Sequence, residues 1–213
     1  IYNNKFKRFF SKAGHRILGQ KLIRQINDQE TLIEIGAGGG ALLEELSVKN
    51  YVGIDTSMKV LSVLKKRYPD AIVICTSGAK LPFQSSSISH VVSLHTLEHI
   101  YPLAEHLQEV KRILRQNGNY FFVIPTEGGW AFYLGRLFFT GPHVKRKYNI
   151  DAHEVMAREH INDARRVIKF LRFYFPSVKK TFWPISIPLL SINAMIYGHC
   201  KNDKGKRVSS PKN

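Results

Sequence analysis

Cysteines and acidic residues are both scarce in this sequence, and each shortage narrows the class of protein. Cys75 and Cys200 are the only cysteines among 213 residues, so a disulfide-stapled fold is not expected. Cys75 falls in an apolar run, which predicts an inert buried thiol. Acids number 16 against 32 Lys and Arg, which gives a net charge of +16. A chain this basic favours anionic partners.

A long, uninterrupted hydrophobic run is also missing. Residues 181–200 contain no Lys, Arg, Asp or Glu, but prolines and small polar residues interrupt them and argue against a membrane-spanning helix. The segment IYNNKFKRFF at the beginning is basic and lacks the apolar region of a secretory signal. We therefore expect a cytoplasmic protein, with peripheral contact at the inner face of a membrane as a further option.

The positive charge is concentrated in the flanks of the chain. Residues 1–27 hold seven Lys or Arg and no acid, and residues 28–135 have a net charge of −2. Residues 136–182 carry a net +7 and residues 183–213 a net +4. Either the flanks contact an anionic substrate, membrane or nucleic acid, or many of these bases are simply solvated. Nucleic acid is the weaker partner because no RNA-binding motif is visible.

The N-terminal segment predicts a basic amphipathic helix within residues 1–27. Apolar residues recur there at helical spacing, with bases between them: Phe6, Phe9, Phe10, Ala13 and Ile17. Two placements are open for this helix. It lies on a membrane surface, or it packs its apolar stripe against the sheet.

The most informative stretch is residues 31–55, TLIEIGAGGGALLEELSVKNYVGID. It predicts a buried strand, a glycine-rich turn, a helix over 39–49, and a strand over 50–55 that ends in an acid. Gly36, Gly38 and Gly40 allow a sharp turn and a close ligand approach. Asp55 lies 19 residues beyond Gly36, the spacing at which a carboxylate receives a ribose diol. The unit therefore predicts a site for an adenosine-bearing cofactor.

Two cofactors compete for this site. Gly36, Gly38 and Ala41 satisfy the G-x-G-x-x-G/A pattern of nicotinamide dinucleotides. With Glu34, the same turn also matches the E/D-x-G-x-G-x-G pattern of methyltransferases that use S-adenosylmethionine (SAM). A carboxylate here would repel a pyrophosphate but would help to orient the ammonium group of SAM.

Later motifs favour SAM. The segment SGAKLPF, residues 77–83, follows a third apolar strand, and HVVSLHTLEHI, residues 90–100, forms a fourth. With these motifs the chain resembles the class I SAM-dependent methyltransferases of the small-molecule type, often called type 11, over about residues 31–125. The resemblance implies a cofactor site made of Glu34, Gly36, Ala37, Gly38, Gly40, Asp55, Thr56, Met58, Ser77, Gly78 and His95. Ser77 stands where the family usually has an Asp that contacts adenine.

Alternating strands and helices predict an α/β fold with a parallel sheet and helices on both faces. The resemblance implies a Rossmann-like, seven-stranded, mostly parallel sheet with an antiparallel C-terminal hairpin. We expect one domain over residues 1–200, with a substrate-region insertion over 126–159 and a disordered basic tail over 201–213. We also expect a helix over 102–116 that stops at an Asn-Gly pair, and a helix over 160–174.

Catalysis of methyl transfer needs few side chains, and a general base helps where the acceptor is a hydroxyl. The candidates are His95, His99 and His160, although each could instead be a structural histidine. His153 and His160 are seven residues apart rather than four, so we expect no metal site.

The function predicted from the sequence is methyl transfer from SAM, with S-adenosylhomocysteine (SAH) as the product. The acceptor is a small-molecule, sugar or lipid-linked compound, and an anionic one would suit the basic flanks. A looser similarity is to a bacterial methyltransferase subgroup often associated with cell-surface polysaccharide genes, and it rests on EGG at 127–129, Arg136, REH at 158–160 and Asn162. The alternatives are an NAD(P)-dependent oxidoreductase or epimerase, and a non-catalytic SAM-binding module on a membrane or RNA. Oligomeric state and acceptor atom stay open.

Overall fold

A computed structural model describes residues 14–17, 20, 26–27, 29–126 and 160–203. Within them the chain forms seven strands and three α-helices: β1 (Thr31–Ile35), β2 (Asn50–Asp55), α1 (Met58–Arg67), β3 (Ile72–Cys75), β4 (Ile88–Leu94), α2 (Leu103–Ile113), β5 (Leu114–Pro125), α3 (Ala164–Tyr174), β6 (Ser177–Trp183) and β7 (Met195–Lys201). Residues 14–17 are also helical.

The strands form one sheet in the order β3-β2-β1-β4-β5-β7-β6. Strands β1 to β5 pair in parallel, whereas β7 runs antiparallel to both β5 and β6. This topology confirms the predicted Rossmann-like sheet with its antiparallel C-terminal hairpin. Six strands end at one border of the sheet, called the carboxyl edge below, at Ile35, Asp55, Cys75, Leu94, Pro125 and Trp183.

Two apolar cores cover the two faces of this sheet. Ile33, Tyr120 and Phe122 pack into the core that contains α2 and α3. Leu32 and Phe121 pack into the opposite core with α1. Adjacent residues of one strand therefore serve different cores, because successive side chains point to opposite faces. A parallel sheet buried on both faces needs such continuous apolar strands.

The predicted helix over residues 39–49 is wrong. Only a short 3-10 helix, Leu42–Glu44, follows the glycine-rich turn. Gly38 and Gly40 have positive φ angles, which an α-helix does not include, so a regular helix cannot begin inside the turn. In this part of the described chain, therefore, no α-helix N-terminus faces the turn.

The Asn-Gly pair at 117–118 belongs to the β5 strand and not to a helix end. Helix α2 ends at Ile113, and β5 begins at the next residue, Leu114. Asn117 has a φ of 62°, and the register between β4 and β5 shifts between Ile88 and His90. These features mark a β-bulge.

Several predicted segments lie outside the described residues. They are most of the basic helix of 1–27, the insertion of 126–159 apart from its first residue, and the tail beyond Asp203. The boundaries of a single domain therefore stay a prediction. Helix α3 begins at Ala164 rather than at residue 160, because the Asp163 side chain accepts a hydrogen bond from the Arg166 N–H and caps it.

The two cysteines differ in their exposure to solvent. Cys200 is buried, but Cys75 is exposed because β3 is an edge strand, so the predicted buried thiol is wrong.

No helix in the described part of the chain is long and apolar enough to cross a bilayer. Most of the uncharged run forms β7 and the loop before it.

Candidate functional site

The turn after β1 depends on glycines with positive φ, which are Gly36 (77°), Gly38 (51°) and Gly40 (80°). The N–H groups of Gly36 and Ala37 both donate to the Ile54 carbonyl, at 2.8 and 2.9 Å, and so tie the turn to β2. A Cβ at Gly36 would lie 2.2 Å from the Thr96 Oγ1, whereas a Cβ at Gly38 would meet no atom within 4 Å. The turn is therefore closed toward β4 and open at Gly38.

Asp55, the last residue of β2, is held beside this opening by two backbone donors. Its Oδ2 accepts from the Gly38 N–H at 3.0 Å, and its Oδ1 accepts from the Ser57 N–H at 2.9 Å. The side chain is half-buried, and each carboxylate oxygen retains a further acceptor position. This geometry suits a contact with the ribose hydroxyls, which stays a prediction for this residue.

Glu34 lies within the sheet and not in the turn. Glu34 is 1% exposed, and its carboxyl group accepts a hydrogen bond from the Tyr51 hydroxyl. Burial raises the pKa of Glu34 to about 8; the Tyr51 bond opposes this shift and the Asp55 charge adds to it. The observed partner is therefore Tyr51, and the expected contact with the SAM ammonium stays a prediction.

The residues expected around the adenosine lie at the neighbouring strand ends. Thr56 and Met58 follow β2, and both are exposed, Met58 by 59%. Ser77 is exposed and Gly78 half-buried after β3. Asp55 pairs with Cys75 in the sheet register, so these two strand ends are adjacent. The structure thus brings all four residues to the same part of the carboxyl edge.

His106 of α2 supports the Gly78 backbone, a role that the sequence analysis missed. Its Nδ1 lies 3.0 Å from the Gly78 carbonyl oxygen, and its Nε2 lies 3.4 Å from the Tyr120 hydroxyl. Burial lowers the pKa of His106 to about 4, so the ring is neutral and its Nδ1–H donates to the carbonyl. A Cβ at Gly78 would lie 2.5 Å from that nitrogen. The available signal was a polar ring on the apolar stripe of a helix.

His95 follows β4 in an unusual backbone conformation, with a φ of 50°. Its N–H donates to the Val123 carbonyl at 2.9 Å, which joins it to the end of β5. The ring Nε2 is buried and has no hydrogen-bond partner within the described ranges. A Cβ at Gly14 would lie 3.1 Å from this nitrogen, so the helical residues 14–17 cover that side of the ring.

Glu98 is a buried acid beside His95 that the sequence analysis did not select. It is 2% exposed, and its Oε1 lies 3.9 Å from the His95 Nδ1. Burial raises the pKa of Glu98 to about 8. Burial first, and then nearby histidines, lower the pKa of His95 to about 3. The two side chains therefore face each other uncharged at neutral pH. The LEH motif, which contains Glu98, was the signal that pointed to it.

The structure also brings His99 and His160 to the end of β4. Their ring centroids are 4.5 Å apart, in an edge-to-face arrangement. Asn162, which is buried, donates through its Nδ2 to the Leu97 and Ile100 carbonyls, at 3.0 and 2.7 Å. These hydrogen bonds hold the first residues of the described segment 160–203 beside the end of β4. Across the parts of the chain that the structure describes, no three His, Cys, Asp or Glu side chains converge as a metal site.

Comparisons with known proteins agree with this geometry. Residues 33–122 match the family model described as a methyltransferase domain. An uncharacterized methyltransferase of Schizosaccharomyces pombe is 30% identical over 96 residues, which cover 44% of this chain and 38% of that protein. A probable S-adenosylmethionine-dependent methyltransferase of Mycobacterium tuberculosis is 26% identical over 138 residues, which cover 64% of this chain and 50% of that protein. The chain therefore spans about half the length of these relatives, or less.

A solved structure shares the fold over nearly the whole chain. It is a SAM-dependent methyltransferase from Thermotoga maritima, with a TM-score of 0.63 and 18% sequence identity. The match covers 95% of this chain and 96% of that one. At this identity the similarity concerns the fold alone. Together with the family match, it confirms the resemblance to methyltransferases and sets the nicotinamide-dependent alternative aside.

Proposed function

We propose that the protein, whose residues 33–122 match a methyltransferase domain, is a class I SAM-dependent methyltransferase that transfers the SAM methyl group to an acceptor and releases SAH. The single observation that carries the proposal is the pairing of Asp55 with the open glycine turn. A half-buried carboxylate is fixed there beside a backbone position, Gly38, where a Cβ would meet no atom within 4 Å. The turn is therefore built to leave room for a ligand.

In this proposal the two halves of SAM would bind at two ends of the site. Asp55 would accept hydrogen bonds from the ribose hydroxyls, while Met58 and the Ser77–Gly78 backbone would contact the adenine. The methionine half would extend over the glycine turn toward His95. Glu34 would act from beneath this turn, because a buried carboxyl that loses its proton would favour a nearby cation.

At the acceptor end, His95 is the candidate base. SAM supplies an electrophilic methyl group, so the protein has to orient the acceptor and receive its proton. The His95 Nε2 is a buried nitrogen that has no hydrogen-bond partner in the described part of the chain. A ring with a pKa of about 3 is a weak base alone. An ionised Glu98 carboxylate, 3.9 Å away, would stabilise the protonated ring.

We propose a lipid-linked or other amphipathic acceptor, in preference to a free sugar. The basic flanks suit an anionic group on the acceptor or on the surface that holds it. Peripheral membrane contact through those flanks is part of the same proposal. A non-catalytic SAM-binding module is the second candidate, because a neutral His95–Glu98 pair is also compatible with binding alone.

Binding and turnover together test the proposal. Calorimetry should show binding of SAM and SAH in the micromolar range and no binding of NAD, because residues 33–122 match a methyltransferase domain. Incubation with methyl-labelled SAM and lipid extracts should then label an acceptor. Binding of NAD without SAH would overturn the methyltransferase proposal. Binding of SAH with no labelled product from any extract would favour the non-catalytic module.

A further inference from the structure

The loop between β6 and β7 presents aliphatic side chains to solvent. Ile185, Ile187 and Leu189 are 43%, 53% and 52% exposed. The loop also contains two exposed prolines, Pro184 and Pro188, and no charged residue. A contiguous group of exposed aliphatic side chains is uncommon on a surface that faces only water, and it marks an interaction site.

A buried asparagine holds this loop in its shape. The Asn193 Nδ2 donates to the Ile187 and Leu189 carbonyls, at 2.9 and 2.8 Å, and its Oδ1 accepts from the Ile185 N–H at 2.9 Å. The Thr126 hydroxyl donates to the Asn193 carbonyl. These hydrogen bonds hold the backbone of the loop in place while its aliphatic side chains stay exposed. The exposure is therefore a property of an ordered loop.

Other exposed apolar side chains occur on the same side of the molecule. The β6–β7 loop lies at the carboxyl edge, because Met195 pairs there with both Pro125 and Trp183. Ile161 and Tyr101, which are 49% and 75% exposed, belong to connections at the end of β4 on that edge. Three separate connections thus bring apolar surface to the edge where the acceptor is proposed to enter.

Basic side chains accompany this apolar edge. Helix α3 begins at the carboxyl edge and has no acidic residue. Its first turn carries the exposed Arg165 and Arg166, whereas the exposed Lys169 and Arg172 lie farther along the helix, away from that edge. Strand β6, which leads into the loop, carries Lys179 and Lys180. An apolar loop next to a basic helix complements an anionic bilayer, because aliphatic groups enter the interface while the bases attract headgroups.

We propose that the β6–β7 loop inserts into the surface of an anionic phospholipid bilayer and holds the carboxyl edge against it. The loop is a different contact from the basic N-terminal segment. Insertion of the loop does not depend on the proposed function. One consequence rests on that function: an acceptor dissolved in the bilayer would reach the site laterally.

Co-sedimentation of the full chain with vesicles tests this surface. Vesicles of phosphatidylcholine with and without phosphatidylglycerol are compared at low and high salt. The Ile187→Asp/Leu189→Asp variant should lose roughly tenfold or more of its binding to anionic vesicles, because two inserted aliphatic side chains are replaced by charges. Added salt should weaken binding of the unaltered chain.

The matched control is Val63→Asp/Ile72→Asp, which changes two aliphatic residues of similar exposure, 50% and 57%, on α1 and β3. It should bind vesicles like the unaltered chain. Equal loss in both variants, or no loss in either, would overturn the assignment to the loop. Sedimentation velocity without lipid provides a further check. A loss of self-association in the loop variant alone would show that a second copy occupies the surface, which would also overturn the proposal.

A fluorescent label provides a direct readout that does not depend on the charge change. In a Cys75→Ser background the buried Cys200 is protected, so an environment-sensitive dye can be attached at Ser186→Cys in the loop or at Ser62→Cys on α1. Anionic vesicles should shift the emission of the dye to the blue at 186 and not at 62. No shift at 186, or an equal shift at both positions, would contradict insertion. SAH binding, measured in every variant, reports separately on the fold and on the proposed function.

Discussion

The Asp55 carboxylate accepts a hydrogen bond from the Gly38 N–H at 3.0 Å, so the acid that ends β2 also holds the glycine turn that follows β1. These residues are 17 positions apart in the chain. They meet because β1 and β2 pair in parallel and end at the same edge. A change at Asp55 should therefore affect the turn as well as the proposed ribose contact.

Replacement of Asp55 should weaken SAH binding strongly without unfolding the protein. Asp55→Ala removes the proposed acceptor for two ribose hydroxyls, each bond being worth about 1.5–3 kcal/mol at most. Asp55→Asn keeps one acceptor oxygen and should bind with intermediate affinity. Calorimetry with SAH measures both variants, and Asp70→Ala, an exposed acid after α1, is the control. Unchanged affinity in folded Asp55→Ala would show that this carboxylate does not hold the ribose.

Two glycines in the same turn should respond differently to alanine. Gly36→Ala places a Cβ 2.2 Å from Thr96 at a φ of 77°, which should cost about 1–3 kcal/mol of stability and reduce SAH binding. Gly39→Ala meets only Val63, at 3.8 Å, and should change stability by less than about 0.5 kcal/mol. Urea unfolding of both variants measures the difference. Equal stabilities would contradict the close approach of the turn to Thr96.

The free energy of unfolding should fall as the pH rises from 6.5 to 8. Glu34 and Glu98 have a pKa raised to about 8 in the folded protein, so the stability from their bound protons is complete below 4.5 and is lost as the pH rises through 8. His95 and His106 have a lowered pKa, so their effect is a loss of stability only as the pH falls below 6.5.

Glu98→Gln should make the fall of the unfolding free energy with pH less steep, by roughly 1.4 kcal/mol per pH unit for one proton. Denaturant unfolding across the same pH range measures the slope. Glu105→Gln, an exposed carboxyl on α2, is the matched control and should leave the slope as it is. An identical slope in the Glu98 and Glu105 variants would show that Glu98 is ionised in the folded protein at neutral pH.

His95→Asn should separate proton transfer from cofactor binding. Asn tolerates the φ of 50° at this position, so the backbone should be retained. If the acceptor is a hydroxyl, loss of the base should lower the transfer rate by about 10²–10⁴-fold while SAH affinity changes little. His99→Asn, at another candidate base of the same motif, is measured in parallel. The rate of the unaltered enzyme should rise as the pH approaches 8, where Glu98 ionises. Full activity of His95→Asn would remove it as the base.

His106 offers a test of how the adenine end is positioned. His106→Leu removes the donor to the half-buried Gly78 carbonyl, at a cost of about 1 kcal/mol. His106→Gln retains an amide donor and should recover part of the SAH affinity. Calorimetry on both variants, with chemical unfolding to measure stability, distinguishes the two effects. Equal SAH affinity of both variants and the unaltered protein would show that this contact does not position the adenine end.

Motifs that are local in the chain were predictable from the sequence. They include the glycine turn with Asp55 and the alternation of strands and helices that gives the sheet. These features depend on backbone freedom and on apolar runs, which are visible in short windows of sequence. The helix over 39–49 was wrong because apolar periodicity does not reveal that three neighbouring glycines adopt positive φ. The Asn-Gly pair was misassigned because the same left-handed residue serves a helix end and a β-bulge.

The sequence by itself determined the resemblance to a family, the cofactor class that this resemblance implies and the edge of the sheet that carries the candidate site, since these follow from the order and spacing of contiguous motifs. Only the tertiary structure decided which distant residues support the site. His106 reaches Gly78 across 28 positions, and Asn162 reaches Leu97 across 65. The ionisation of Glu34 and Glu98 was decided in the same way, because burial sets the pKa of a carboxyl and arises only when separate elements pack around it.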